Sequence, residues 1–475
     1  MDEAIIKEQE IVVGLDIGTT KIACFVGVPT HDDKVKIIGF SKTKSMGVEH
    51  GVVRNVTETA NAIKKVVAEA SEQANVEVEE VWVGIAGQHI NSSPSQGSIM
   101  IPPEHRLITQ EDVDNLINDQ YKLQLPAGEK IIHVFPQQYV VDSAPLSNNV
   151  SPVGVAGKKL QADFHMVTGN VQNLEHIKYA VHDAGLKIKG VVLEPVASAK
   201  AVLDDTDRQA GVAMVDIGGG TTDIAVFHDG IIRHTSVLPL AGNAITNDIR
   251  EVCFVTLKQA EGLKVKFGSC VPSAVSENDV ISIPGIRNQP AREIYVKTLA
   301  GIINERTKMI LEQVDYDIKL SGFSKRLLAG LVLTGGGAQL KNIKDLAELL
   351  TATETRIGVP NEHLEKDSVS YDELSHPMYA TGIGLVLYGL EQIELDRLQH
   401  GKPAEEEKSK KDGHIDIFES MPPAQPKPEP QPEPEPEPVA PPKGKQGKEG
   451  GAKKPNFETV LRDWFSNVFN EKGIE

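Results

Sequence analysis

Short apolar runs rich in β-branched residues alternate with amphipathic stretches up to about residue 400. The apolar runs have the length and composition of buried strands, and they include IVVGLDI, KIACFVGV, VWVGIA, GVAMVDI and LAGLVLTGG. Apolar spacings of three and four residues predict helices at residues 56–74, 171–184, 243–252, 292–313 and 377–390. This alternation of strands and helices predicts an α/β protein.

An internal repeat predicts that the protein has two related halves. GLDIGTTKIACFVG begins at Gly14, and VDIGGGTTDIAVFHDG begins at Val215. The two aspartates, Asp16 and Asp216, are 216 − 16 = 200 residues apart. Recurrence of one motif at such a distance is the signature of a duplicated unit.

Each repeat predicts a hairpin whose tip can bind an anion. A strand ends in aspartate, turns through glycine and threonine, and returns as a second strand. Glycine permits the close approach and positive φ that direct backbone N–H groups at phosphate, and threonine hydroxyls add donors. One such hairpin is more often an ordinary tight turn, but two copies favour binding. The candidate phosphate contacts are Gly18, Thr19, Thr20, Lys21, Gly218, Gly219, Gly220, Thr221 and Thr222.

The aspartates at the two tips predict a metal ion. Asp16 and Asp216 would repel phosphate unless a cation lay between them, so we expect Mg²⁺ held largely through its waters. A third glycine cluster, Gly335, Gly336 and Gly337 in TGGGAQL, follows an apolar strand and would let a nucleotide approach the backbone. The sequence contains no GxxxxGK[ST], which disfavours a P-loop NTPase.

Five elements in this order resemble the actin, Hsp70 and sugar-kinase superfamily. LEPVASAKA and YATGIGLVLYG are similar to its two connecting helices. The resemblance implies a duplicated ribonuclease-H-like fold that binds ATP or ADP with Mg²⁺ between its halves. It places Glu194 where related ATPases position the attacking water. It also implies that Glu261 and Lys264 contact adenosine, although a solvated salt pair at i and i+3 is the alternative.

The position of an insertion narrows the resemblance. Only about ten residues separate Ser45 from the helix at Val56, too few for the subdomain that actin, Hsp70 and MreB carry there. The extra sequence instead follows VWVGIAG, which resembles the FtsA family of bacterial cell-division proteins, where subdomain 1C replaces actin's 1B. The implied subdomains are 1A (residues 1–87 and 166–202), 1C (88–165), 2A (203–242 and 325–398) and 2B (243–324).

Composition changes abruptly near residue 400. Eleven of the 28 prolines lie between Met421 and Pro442, where they alternate with glutamate. Such sequence can neither bury apolar surface nor form a hydrogen-bond ladder. We therefore expect residues 399–454 to be a disordered, extended linker.

The C-terminal segment, residues 455–472, predicts an amphipathic helix suited to a bilayer interface. Five lysines and one glutamate between Lys443 and Lys454 give a local charge of 5 − 1 = +4, which favours an anionic membrane surface. The alternative is a helix that docks onto the globular part or a partner groove. Its apolar face consists of Phe457, Val460, Leu461, Trp464, Phe465, Val468 and Phe469.

Charge and cysteine content exclude several function classes. With 49 basic and 67 acidic side chains the net charge is 49 − 67 = −18, which disfavours a nucleic-acid partner. The three cysteines are isolated, so neither a disulfide framework nor a cysteine zinc site is expected. No run of about 18 apolar residues occurs, and the acidic N-terminus lacks signal-peptide features, so we expect no membrane-spanning segment.

The resemblance implies an ATP-binding division protein, with at most slow ATPase activity, at the septum. Such a protein polymerises through 1C and 2B and anchors the tubulin-like protein FtsZ to the inner face of the cytoplasmic membrane, beside other division proteins. The FtsZ C-terminal peptide would bind 2B, where Arg287, Arg292 and Arg306 are candidates. A small-molecule kinase or an Hsp70-like ATPase of the same superfamily is the alternative.

Overall fold

The computed structural model describes residues 10–30, 34–103, 107–147, 150–285 and 290–400, with side chains described through residue 398. The strands are β1 (Val12–Ile17), β2 (Lys21–Pro29), β3 (Val35–Lys44), β4 (Val48–Glu49), β5 (Val52–Val53), β6 (Glu80–Ile85), β7 (Asn91–Met100), β8 (Glu129–Val141), β9 (Ala144–Pro145), β10 (Lys159–Asn170), β11 (Lys187–Leu193), β12 (Val212–Ile217), β13 (Thr222–His228), β14 (Ile231–Leu238), β15 (Val280–Ile283), β16 (Arg292–Tyr295), β17 (Leu331–Thr334) and β18 (Thr355–Ile357).

Helices cover the faces of the sheets and connect the two halves. They are α1 (Val56–Ala74), α2 (Gln110–Tyr121), α3 (Val171–Asp183), α4 (Glu194–Val202), α5 (Asp205–Ala210), α6 (Gly242–Cys253), α7 (Leu257–Phe267), α8 (Val296–Leu320), α9 (Ile343–Thr351), α10 (Tyr371–Leu374) and α11 (Ala380–His400), with 3₁₀ turns that include Gly337–Gln339 and Pro377–Tyr379.

Two five-stranded sheets share one topology. The first has the order β11-β6-β1-β2-β3 and the second the order β18-β17-β12-β13-β14. In each sheet the first three strands in sequence are antiparallel, and the remaining two run parallel to the first. The central strands β1 and β12 are buried along all six residues, as strands covered on both faces should be. The duplication predicted from the repeat is therefore confirmed.

The two connecting helices, α4 and α11, pack between the sheets. One hydrophobic core contains residues of both helices and of both sheets, including Phe25, Met214 and Ile383. Small residues let the helix backbones approach, because a Cβ built on Gly384 would lie 1.8 Å from the Ala197 carbonyl oxygen. The two glycine–threonine hairpins, β1–β2 and β12–β13, belong to the sheets that these helices join.

The first half carries an inserted subdomain between β6 and β11. Its sheet has the order β7-β10-β8-β9, and α2 packs on it around a separate core that includes Leu116 and Phe164. The insertion also contacts β14 of the second half, since the Gln137 side chain donates to the Ile232 carbonyl at 2.7 Å. His165 Nε2 lies 2.9 Å from Thr235 Oγ1 at the same contact.

Two helix predictions differ from the structure. The predicted helix at 292–313 begins instead at Val296, because Arg292–Tyr295 pairs with Val280–Ile283 as a hairpin, and it continues to Leu320 on buried positions of the same period. The segment 377–390 opens with the 3₁₀ turn, and α11 continues to His400. Helix α11 therefore extends two residues into the segment predicted as linker, residues 399–454.

Candidate functional site

The first glycine–threonine hairpin joins β1 to β2. The Gly18 N–H closes the turn by donating to the Lys21 carbonyl at 3.0 Å. Asp16 precedes the turn and is buried. The hydroxyl of Thr19 accepts from the Gly51 N–H at 3.0 Å, which ties the tip to the short β4–β5 hairpin. Backbone contacts thus fix this tip from both sides.

The second hairpin, between β12 and β13, closes in the same way. The Gly218 N–H donates to the Thr221 carbonyl at 2.9 Å. Helix α6 begins on this tip, because the N–H groups of Gly242 and Asn243 donate to the carbonyls of Gly218 and Gly219 at 3.1 and 2.8 Å. The tip is therefore anchored to the following helix.

The tips of the two hairpins lie against each other where the two halves meet. A Cβ built on Gly219 would lie 1.9 Å from Thr20 Oγ1, and one on Gly220 would lie 2.6 Å from Thr19 Oγ1. His50 Nδ1 also lies 3.1 Å from the Gly220 carbonyl oxygen. Any larger residue at these two glycines would hold the tips apart.

Two of the predicted phosphate donors already have hydrogen bonds inside their own half. Thr222 Oγ1 donates to the Leu240 carbonyl at 2.7 Å, and Thr221 Oγ1 donates to Asp223 at 3.0 Å. Both side chains are buried. Their hydroxyls shape the second hairpin, so the backbone of its glycines is the part that faces the cleft.

Four carboxylates converge beneath the tips. Asp216 accepts hydrogen bonds from Ser198 at 2.6 Å and from Thr381 at 3.1 Å, one from each connecting helix. Glu194 is the first residue of α4. Asp223 lies opposite Asp216 in the β12–β13 register, and its Oδ1 has no hydrogen-bond partner among the described residues.

Three of these carboxylates, those of Glu194, Asp216 and Asp223, have raised pKa values. Burial raises the pKa of Glu194 well above its ordinary value, and the charges of Asp223, Asp16 and Asp216 raise it further. Burial likewise raises the pKa of Asp223 and of Asp216, with hydrogen bonds from Ser198 and Thr381 opposing the shift in Asp216. An additional cation in the cleft would relieve this repulsion.

Lys21 supplies positive charge to the cluster. Its Nζ lies 2.5 Å from Asp16 Oδ2. Burial lowers the pKa of Lys21, but the ion pair with Asp16 and the nearby charge of Asp216 raise it above the ordinary value, so Lys21 stays protonated. Because the carboxylates outnumber this ammonium, a divalent cation would offset the charge of those that ionise. Among the described residues, no group of three or more His, Cys, Asp or Glu side chains is placed to hold a metal ion directly.

The third glycine cluster follows β17 and lies beside Asp216. Gly335 has φ +83°, and a Cβ there would lie 2.2 Å from Asp216 Oδ1, so both conformation and space require glycine. Gly337 packs on Ile217, where a Cβ would meet a side-chain carbon at 2.4 Å. Gly336 is exposed, and a Cβ there would meet nothing nearer than Met378 Cβ at 3.9 Å. Gly336 is therefore the one glycine of this cluster at which a Cβ would not clash.

Glu261 and Lys264 form a salt pair that also reaches the second hairpin. Their charged atoms are 2.8 Å apart on α7. Lys264 Nζ also donates to the Gly242 carbonyl at 3.1 Å and to Thr246 Oγ1 at 2.8 Å. Because the Gly242 N–H is bonded to the Gly218 carbonyl at the hairpin tip, this pair connects α7 to the second hairpin.

The arginines considered for a peptide partner have different surroundings. Arg306 forms a two-pronged ion pair with Asp248 at 2.6 and 2.9 Å and is largely buried. Arg292 is exposed and lies over the exposed Phe254 ring, with its guanidinium carbon 5.9 Å from the ring centre. A cavity of ≈ 390 Å³ lies beside it, lined also by Tyr295. Arg287 lies outside the described residues.

Several predictions concern residues that the structure does not describe. The linker from residue 401 onward and the C-terminal helix at 455–472 lie in that part of the chain. Within the described residues, no helix combines the length and the apolar character needed to cross a membrane. The proposed membrane face, Phe457, Val460, Leu461, Trp464, Phe465, Val468 and Phe469, therefore remains a prediction from sequence.

Sequence reasoning missed four residues of the site. Asp223 is the last residue of the motif DIGGGTTD, and Ser198 and Thr381 belong to the two helix motifs. All three residues therefore lie in motifs identified from the sequence, but no role was assigned to them. Tyr379, the last residue before α11, packs against Lys21 and is fully buried. No spacing pattern identified that contact, because the two residues are far apart in sequence.

Comparison with known proteins agrees with this architecture. Residues 213–384 match the family described as cell division protein FtsA, and residues 87–168 match the SHS2 domain inserted in FtsA. Cell division protein FtsA of Pseudomonas aeruginosa is 34% identical over 389 residues, which cover 82% of this chain and 91% of that protein. The Escherichia coli K12 protein of the same name is 34% identical over 391 residues, covering 81% and 91%.

A solved structure shows a similar fold. The PilM-PilN type IV pilus biogenesis complex matches with a TM-score of 0.57 and 16% identity, over 80% of this chain and 98% of that one. The actin-like fold with an inserted SHS2 domain, predicted from the motifs, is confirmed.

Proposed function

Since the chain belongs to the FtsA family of cell-division proteins, we propose that it binds ATP, polymerises and anchors FtsZ to the cytoplasmic face of the membrane. The observation that carries the nucleotide part is the pair of matching hairpins, whose glycine backbones face each other over buried Asp16 and Asp216. Phosphate oxygens are the ligands that such amide-rich tips prefer.

Mg²⁺ fits the acidic cluster beneath the tips. Asp16 and Asp216 would hold the ion, largely through its waters, and Asp223 would contribute its unpartnered Oδ1. When bound, the ion neutralises charge on the phosphates and on the carboxylates. Lys21 adds charge from the first hairpin, and the glycines of residues 335–337 with Glu261 and Lys264 form the adenosine side.

Glu194 is the proposed water-positioning residue. It begins α4 beneath the hairpins, where neighbouring carboxylates and burial raise its pKa. A carboxyl group that is protonated cannot accept a proton from water. Slow hydrolysis, dependent on cation binding, is the behaviour that this environment supports.

The FtsZ C-terminal peptide is proposed to bind the cavity in subdomain 2B, residues 243–324. The cavity is bordered by α6 and the β15–β16 hairpin and has Arg292 at its edge. Exposed Phe254 and Tyr295 lie nearby and supply apolar contacts. An acidic peptide with apolar anchors would complement this surface. Arg306 is already paired with Asp248 and is the weaker candidate.

The C-terminal helix is proposed to be the membrane anchor, with the proline-rich linker as its tether. A single interfacial helix binds weakly and reversibly. Polymerisation through 1C and 2B would multiply this affinity by effective concentration, so filaments would stay on an anionic surface at the septum where single subunits exchange.

Isothermal titration with ATP, in the presence and absence of Mg²⁺, tests the nucleotide site. Gly336→Val is the informative variant, because its added carbons meet open space and not the core. We expect the wild type to bind Mg-ATP and the variant to lose at least tenfold in affinity with an unchanged melting temperature. Equal affinity for both proteins would overturn the proposed adenosine position.

A further inference from the structure

Tyr379 links three parts of the nucleotide cleft. It ends the Pro377–Tyr379 turn directly before α11, and its side chain is fully buried. Its ring packs edge-on against Phe40, with ring centres 5.5 Å apart. The Pro377 carbonyl in the same turn accepts from the Gly335 N–H at 3.2 Å, so the turn is attached to the third glycine cluster.

Two ammonium groups lie near the Tyr379 ring, one over its face and one at its hydroxyl. Lys21 Nζ is 5.5 Å from the ring centre and Lys42 Nζ is 5.4 Å from it. Lys42 Nζ lies in line with the hydroxyl, to which it is bonded, so of the two only Lys21 interacts with the ring quadrupole. Lys21 faces the first hairpin through its ion pair with Asp16, whereas Lys42 belongs to the outer part of β3 and pairs with Glu373.

The phenol group fixes the ring in place. The Tyr379 hydroxyl accepts from Lys42 Nζ at 2.7 Å and donates to the Glu373 carboxylate. Burial and the bond to Glu373 raise the pKa of Tyr379, so the phenol remains a neutral donor. The hydroxyl thus points away from the cleft and the ring face points toward Lys21.

The ring matters most when Asp16 has another partner. A lysine ammonium on a flexible four-carbon stem adopts several positions unless more than one contact holds it. If Asp16 holds Mg²⁺ through water, as proposed, its ion pair with Lys21 becomes weaker. The Tyr379 ring is then the contact that keeps the ammonium beside the hairpin.

We infer that Tyr379 is a positioning residue that holds the Lys21 ammonium toward the terminal phosphate of ATP. The inference rests on the proposed nucleotide site. It predicts that Tyr379 contributes to the preference for ATP over ADP, since the ammonium acts on the phosphate that only ATP carries, and contributes little to binding of the adenosine part.

The test compares ATP and ADP affinities of the full-length protein with Mg²⁺, for the wild type and two shape-matched replacements of Tyr379. Tyr379→Phe keeps the ring face and loses the hydroxyl. Pentafluorophenylalanine at the same position keeps the shape but reverses the ring's charge distribution, so folding is preserved while the cation–π contact is lost. Lys42→Met removes a positive charge at a similar distance from the ring centre, but one that lies at the hydroxyl and not over the ring face.

We expect the ratio of ATP to ADP affinity to fall at least fivefold with pentafluorophenylalanine. Tyr379→Phe and Lys42→Met should stay within twofold of the wild type, and ADP affinity should stay constant throughout. An unchanged ratio with the fluorinated ring would overturn the inference, as would an equal loss in Lys42→Met. Absence of Mg-ATP binding by the wild type would instead refute the proposed function, and the inference with it.

Discussion

The buried acidic residues of the cleft are held in different ways. Hydrogen bonds from Ser198 and Thr381 favour the ionised form of Asp216, and Lys21 pairs with Asp16. For Glu194 and Asp223, burial and the charges of neighbouring carboxylates dominate, and both raise the pKa. The second pair therefore makes the nucleotide-free protein sensitive to pH.

Replacement of Glu194 by glutamine should stabilise the nucleotide-free protein at high pH. A carboxyl whose folded pKa is raised stabilises the fold only below its unfolded pKa, and this contribution is lost as pH rises through the folded pKa. We expect Glu194→Gln to raise the melting temperature by about 2–4 °C at pH 8, roughly the shift for 1 kcal/mol in a domain of 150–250 residues.

The gain should disappear near pH 4.5, where the wild-type carboxyl is protonated and resembles the amide. Differential scanning fluorimetry across this pH range measures the effect. A stabilisation that is independent of pH would show that the amide acts by packing and not by removing charge.

Arg292, rather than Arg306, should dominate peptide binding. Arg292→Ala should weaken binding of an acidic FtsZ C-terminal peptide about fivefold to tenfold, because its charge is accessible beside the cavity. Fluorescence anisotropy with a labelled peptide gives the affinity. Arg250→Ala is the matched control, since Arg250 is an exposed arginine of α6 that does not line the cavity.

A similar loss of peptide affinity in Arg250→Ala would indicate that the peptide is attracted by the overall positive charge of this surface and not by the cavity. Unchanged peptide affinity in Arg292→Ala would contradict the proposal that the peptide binds in this cavity.

At the scale of whole elements, the connecting helices depend on close contact. Helices α4 and α11 cross where the Gly384 position leaves no room for a Cβ, since the nearest atom, the Ala197 carbonyl oxygen, would be 1.8 Å away. Both helices also share one hydrophobic core with residues of the two sheets. Packing at this crossing therefore affects the stability of both halves.

Gly384→Ala should destabilise the protein by about 1–3 kcal/mol, the usual cost of overpacking a core. Gly301→Ala on α8 is the control, because a Cβ there meets nothing within 4 Å. Alanine in that helix interior should instead stabilise by about 1 kcal/mol. Urea unfolding of both variants checks the prediction, and shifts in the same direction would contradict it.

Sequence patterns predicted the elements that repeat or have a clear period. The two hairpins and the helix Val56–Ala74 were found because glycine, threonine and apolar spacing are local signals. The start of α8 was missed because Arg292–Tyr295 becomes a strand only by pairing with Val280–Ile283. Tyr379 was missed for the same reason, since its contact with Lys21 arises from packing between distant segments.

At the scale of the whole molecule, the proposed function assigns nucleotide binding to the globular part and membrane binding to the C-terminal segment. The duplicated sheets and the inserted subdomain belong to residues 10–400. The anchor is proposed from the apolar face of residues 455–472 and the local charge of +4 before it. The central claim is that these parts act together, with polymerisation making a weak anchor effective.

Co-sedimentation with anionic liposomes, in ATP and Mg²⁺, tests this claim most directly when the pellets are viewed by negative-stain electron microscopy. The full chain should pellet as filaments on the vesicles, and Trp464→Glu should remain in the supernatant. Asn467→Glu, which makes the same change of charge on the polar face, should still pellet. If Trp464→Glu pellets as well as the wild type, or if the wild type binds ATP yet stays soluble and monomeric, the helix is not the anchor and the account is wrong.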